Sequence, residues 1–265
     1  MSKASERLRH HREGKKQLAK IIDSPNNVVV IHYSCESFYD RPDGTSPRIT
    51  SIAVRNLATG QTESFSIHQI AERDRKLFSE EIETHYDELE KKMLEEFYNY
   101  AESHQNHTWL HWNMRDIQYG FAALEHRYRV HGGEPIKIPE VCRCDLSRLL
   151  VQLYGVRYIS HPRLENLAKK NSIGDLNFLD GKRESEAFEN GEYVKVHQSI
   201  LRKVDIFSNI VDRAADGTLK TNARLRETYG GYLVFAIEKA KENWFFVLLG
   251  LIGTIVTIIS PFQCN

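Results

Sequence analysis

Residues Val28–Phe38 read VVVIHYSCESF, and this stretch decides the fold. A β-branched run is bounded by Pro25-Asn26-Asn27 on one side and by the turn formers from Ser37 to Gly44 on the other. That pattern predicts a strand buried on both faces. Side chains alternate along a strand, which puts Ser34 and Glu36 on one face at its tip. A carboxylate at the end of so apolar a strand marks the start of a candidate site.

Before this strand, residues 1 to 22 predict a helix with apolar Leu8, Leu18, Ile21 and Ile22, ending ahead of Ser24-Pro25. After it, a second strand is expected over 48–57, a turn over Ala58-Thr59-Gly60-Gln61 and a third strand over 62–67. Ile82, Tyr86, Leu89, Met93, Leu94, Phe97 and Tyr100 keep a helical period within 80–105 and read as core. Thr108 to Trp112 predicts a fourth strand, 117–128 a helix opened by Asp116, and 136–142 a fifth strand. Further helices are expected over 145–154, over 163–170 behind Pro162, over 184–215 with a break near Gly191, and over 221–243. Strands first, then alternating helices and strands, indicate an α/β fold with a mixed sheet flanked by helices.

The chain holds 265 residues with 36 basic and 36 acidic side chains, so global charge does not mark a nucleic-acid binder. Locally, Lys3, Arg7, Arg9, Arg12, Lys15, Lys16 and Lys20 make the first twenty residues basic. They are read either as a solvated helix face or as a contact for anionic lipid or nucleic acid. Cys35, Cys142, Cys144 and Cys264 lack zinc-ligand spacing, which fits reduced thiols in a cytosolic body. Trp244 to Phe262, WFFVLLGLIGTIVTIISPF, carries no charge. Its length suits a transmembrane helix, and Lys239 and Lys241 precede it. The expectation is a single-pass tail anchor with the N-terminal body in the cytoplasm. The organisation predicted is a basic helix (1–24), an α/β domain (25–215), a helical connector (216–243) and the membrane helix (244–262).

Glu36, Asp116 and Asp205 fall where element ends converge in such a fold. A carboxylate trio of this kind is what divalent-metal phosphodiester chemistry requires, two magnesium ions about 3.5–4 Å apart activating water and stabilising the leaving oxygen. Each also has a structural reading: a turn cap for Glu36, a helix-dipole partner for Asp116, and an ion-paired residue for Asp205 beside Arg202 and Lys203.

The order of these motifs resembles the DEDD 3′–5′ exonuclease family, the proofreading-exonuclease branch of the RNase H-like fold. Ser34-Cys35-Glu36 stands for the family's Asp-x-Glu. His111-Trp112-Asn113-Met114-Arg115-Asp116 is similar to its second motif. Asp145-Leu146-Ser147-Arg148-Leu149-Leu150 and Leu164-Glu165-Asn166-Leu167-Ala168 are similar to the segment that follows, and Val204-Asp205 matches the third motif. The resemblance covers about residues 28 to 213. It implies an RNase H-like fold and magnesium or manganese held by Glu36, Asp116 and Asp205. It further implies a single-stranded nucleic acid or nucleotide met by Trp112, Asn113 and Arg115. Two departures weaken catalysis: Ser34 replaces the bridging aspartate, and Leu201 and Ile200 stand where the family has its His or Tyr base, leaving His197 as the nearest candidate. The reading is a membrane-anchored, degenerate exonuclease-like protein with impaired or lost cleavage. The alternative is a non-catalytic scaffold that keeps the fold and oligomerises.

Overall fold

A computed structural model describes residues 3–37, 46–74 and 82–230. Its centre is a five-stranded mixed sheet of strands β1 (Val28–Cys35), β2 (Ile49–Asn56), β3 (Thr62–Ser66), β4 (Thr108–His111) and β5 (Arg143–Asp145). The order across the sheet is β3-β2-β1-β4-β5. β1 runs antiparallel to β2 and parallel to β4; β2 and β3 are antiparallel, and β4 and β5 parallel. This is the expected α/β class with helices on both faces.

The helices are α1 (Lys3–Asp23), α2 (Ile67–Arg73), α3 (Tyr86–Ser103), α4 (Phe121–Val130), α5 (Leu146–Tyr154), α6 (Arg163–Lys170), α7 (Gly181–Glu189), α8 (Tyr193–Ala215) and α9 (Leu225–Tyr229). All eight residues of β1 are buried, because each face of the strand has its own core. Val29, Ile31, Tyr33 and Cys35 point into a cluster with α2, α3 and α4. Val28 and Val30 point into a second cluster with α1, α5, α6 and α8. Burial on both sides replaces alternation with an unbroken apolar run. Each fully buried large side chain, such as Tyr33 or Trp109, stabilises the fold by roughly 1.5–3 kcal/mol.

Several expectations change at this level. The register of β1 on β2 shifts between Ser34 and Cys35. The extra residue is Thr50 of β2, so the bulge bends β2 while β1 keeps its alternation through Cys35. The helix expected from Ile117 begins at Phe121, leaving Asp116 in the connecting loop. Asn113 in that loop has a φ of 57°, and a lone bridge between Arg115 and Gly120 closes it. The fifth strand is Arg143–Asp145 instead of 136–142. The break near Gly191 separates α7 from α8, and φ there is 72°, a conformation that glycine adopts without a Cβ penalty. No helix among the described residues is long and apolar enough to cross a membrane; the expected span at 244–262 lies outside the described residues.

Candidate functional site

The three candidate carboxylates take up separate partners. Glu36 lies just past β1, where its Oε1 accepts from the Arg48 amide at 3.1 Å and its Oε2 pairs with the Arg48 guanidinium at 3.1 Å. Asp116 is exposed, and its Oδ1 accepts from the Gln118 amide at 2.9 Å. Asp205 on α8 pairs with Arg202 at 2.9 Å and with Arg55 at 3.6 Å. Arg55 sits opposite Val30 in the register, six residues back from Glu36. At about 3.3 Å per residue, Asp205 is anchored roughly 20 Å along the sheet from the tip of β1.

Asp205 therefore does not join Glu36 at the tip of β1. α8 crosses β1 with Asp205 toward β2, and Phe207 of α8 packs against His32 of β1. The guanidinium partners of Glu36 and Asp205 supply the positive charge that magnesium or manganese would have to displace, so this trio does not fit the expected metal pair. Among the described residues, Asp87, Glu90 and His131 do approach one another closely. Arg127 already pairs with Glu90 and Arg48 with Asp87 at 2.7 Å, which gives that cluster a structural counter-charge.

His197 also lies away from the tip of β1, beside β3 at the level of His32. Its ring packs edge-on against His68 with centroids 4.9 Å apart, and its Nε2 lies 3.4 Å from the Ser64 hydroxyl of β3. Burial pushes both imidazoles down to about 4. Where β1 faces α8, the structure has instead a closed group. His32 sits edge-on to Phe207 with centroids 5.7 Å apart. Lys203 pairs with Glu184 at 2.8 Å, and Ser199 donates to Glu184 at 2.6 Å. Burial raises the Glu184 carboxyl, and Lys203 pulls it back.

The nucleic-acid candidates behave differently: Trp112, Asn113 and Arg115 line one cavity of about 670 Å³. It lies beyond the carboxyl ends of β4 and β5, and its remaining wall includes Arg148, Arg163, His10 and His161. No carboxylate is among the described residues that line it. The Trp112 ring is stacked on Phe207 with centroids 5.8 Å apart and planes 14° from parallel. Arg115 is ion-paired with Asp145 and donates to the Asn113 side chain at 3.0 Å. Asp145 also caps α5, accepting from the Ser147 amide at 2.9 Å.

Sequence reasoning missed Arg148, Arg163, His10 and His161. A local signal was present: Arg148 lies in the first turn of α5 and Arg163 opens α6. A cation at a helix N-terminus opposes the helix dipole at a cost of about 0.3–1 kcal/mol, and departures from a local rule concentrate at functional positions. His10 and His161 reach the cavity only through tertiary packing.

A second cavity of about 450 Å³ lies between the tip of β1 and α4, with Tyr33, Cys35, Ile117 and Gln118 in its wall. Burial pushes the Cys35 thiol up to about 12, which leaves it protonated and unreactive at neutral pH. Set against known proteins, the chain matches no family model, no curated protein and no solved structure.

Proposed function

We propose that this protein is a nucleic-acid-binding module of RNase H-like architecture. It takes single-stranded nucleic acid or a nucleotide into the basic cavity at the carboxyl ends of β4 and β5, and it does not cut by the two-metal route. The cavity carries the reading: three guanidiniums, two imidazoles and a stacked tryptophan surround a space with no lining carboxylate among the described residues. Arginine forks suit phosphate oxygens, and an indole with an open edge or face suits a base. In open α/β sheets, ligands bind outside the carboxyl ends of strands, next to the point where the strand order reverses; here that point lies between β1 and β4. The strand order, with β1 antiparallel to β2 and parallel to β4, supports the RNase H-like assignment. Engagement of Glu36 by Arg48 and of Asp205 by Arg55 and Arg202 argues against cleavage. The uncharged run at 244–262 would hold the module at a membrane, with the body on the cytoplasmic side.

The test uses the full chain in detergent with end-labelled single-stranded DNA and RNA, with magnesium or manganese. Binding without shortening is expected, weakened at least tenfold in Arg148→Ala. Metal-dependent shortening that Asp116→Ala abolishes would overturn the non-cleaving reading. Absence of binding would replace it with that of a membrane-held scaffold.

A further inference from the structure

We infer that the cavity recognises a phosphomonoester, the terminal phosphate of a nucleotide or of a phosphorylated strand end, in preference to the internal diesters of a nucleic acid. The inference rests on the binding function proposed above and narrows its ligand. Charge balance carries it. The Arg115 charge is offset by its ion pair with Asp145. Arg148 is exposed and makes no ion pair among the described residues, and it projects from the first turn of α5. Arg163 donates to the Val156 carbonyl at 3.2 Å, lies over the Tyr158 ring and meets no carboxylate among the described residues. Its Nε is buried with no hydrogen-bond partner among them.

The start of α6 adds to this. Its N-cap is Pro162, which makes no side-chain cap, and the cavity wall includes Pro162, Arg163 and Leu164. The end of a helix contributes the equivalent of about half a positive charge. Two guanidiniums with no ion pair among the described residues, plus that end, present roughly two to two and a half positive charges. A phosphomonoester carries about −1.5 to −2 at neutral pH with three terminal oxygens; an internal diester carries one charge and two such oxygens. The monoester matches the site and the diester leaves about half of its charge unanswered. Trp112, stacked on Phe207 at one side of the same cavity, places the attached nucleoside.

The experiment measures competition by fluorescence anisotropy on the full chain, using one single-stranded sequence with a 5′-phosphate, with a 3′-phosphate or with hydroxyl ends. AMP, adenosine and inorganic phosphate are run beside them. At least one phosphorylated strand is expected to bind tenfold or more tightly than the hydroxyl-ended strand, and AMP more tightly than adenosine. Arg163→Gln and, at an exposed position that cannot disturb the core, Arg148→Gln are each expected to weaken the phosphorylated strand more than the hydroxyl-ended one, so that most of that preference is erased. AMP competing as well as the phosphorylated strand would identify a free nucleotide as the source; a strand advantage over AMP would identify a strand end; both support the inference. Equal binding of phosphorylated and hydroxyl-ended strands would overturn it while leaving the binding function intact. No binding by any ligand would remove both.

Discussion

Lys203 forms one half of a buried ion pair beside β1. Lys203 is 4 % exposed and paired with a Glu184 that is 3 % exposed, and its ammonium lies 5.4 Å from the centre of the Phe178 ring. The pair sits on the side of β1 where α8 crosses, and there each charge offsets the other. A buried pair is costly to break from one side only. Lys203→Met leaves Glu184 with the Ser199 hydroxyl as its remaining donor among the described partners, and is expected to lower stability by about 3–5 kcal/mol. The double substitution Lys203→Met with Glu184→Leu removes both charges and is expected to recover most of that loss, because two well-packed apolar side chains of similar volume need no desolvated ions. Urea denaturation of the two variants checks this. A double variant as unstable as the single would mean that the ion pair does more than balance its own burial.

The element that the sequence read least completely is α1, whose role emerges only from its packing on α5. Gly14 marks the contact: a Cβ there would come within 3.0 Å of the Gln152 Cβ and 3.3 Å of the Leu153 side chain. Arg7 braces the same junction by donating to the Gln152 carbonyl at 2.7 Å and to the Glu227 carbonyl at 2.5 Å. Gly14→Leu is expected to overpack the junction and destabilise the fold by about 1–3 kcal/mol, measurable as a lower urea midpoint. Because His10 on α1 lines the basic cavity, the same variant should weaken nucleotide binding; full stability with full binding would refute the tight docking of α1. Elements that a local rule specifies were legible in the sequence: the apolar run of β1, a helix starting about Asp145, the break at Gly191 between two helices. α2 was missed although Ser66-Ile67-His68-Gln69 carries a capping-box signature, with the Ser66 hydroxyl accepting from the Gln69 amide at 3.4 Å. The late start of α4 depends on the loop closed by the bridge between Arg115 and Gly120, a long-range geometry that periodicity does not encode. For the same reason the carboxylates were visible as residue types, while Arg48 and Arg55, which engage Glu36 and Asp205, belong to β2 and its approach and become neighbours only on folding.

Across the whole molecule, burial of neutral histidine ties stability to pH. His68, His111 and His197 are each pushed by burial down to about 4, and His32 well below its ordinary value of 6.5. His11 and His107 are lowered for the same reason. In the unfolded chain these imidazoles take up protons near 6.5, while in the native state they do so only at lower pH. Between those two points the unfolded state holds more protons, so stability falls as pH drops. The contribution is complete above about 6.5 and is lost as pH falls toward 4. Glu184 and Asp212, raised by burial, act in the opposite sense over a range at and above the ordinary carboxylate values. They are two groups against six. Native stability is therefore expected to be flat from pH 8 to 7 and to decline steadily from 6.5 to 4.5, with net proton uptake on unfolding. His111 is the best single probe, since its Nδ1 accepts from the Met114 amide at 3.2 Å and the ring is 2 % exposed. His111→Gln offers an uncharged acceptor in its place and should be less stable at pH 7 yet lose less on acidification than the parent chain. Urea midpoints at half-unit pH steps decide the matter: a midpoint that holds constant or rises between 6.5 and 4.5 would mean that these imidazoles reach solvent and titrate as they do in the unfolded chain.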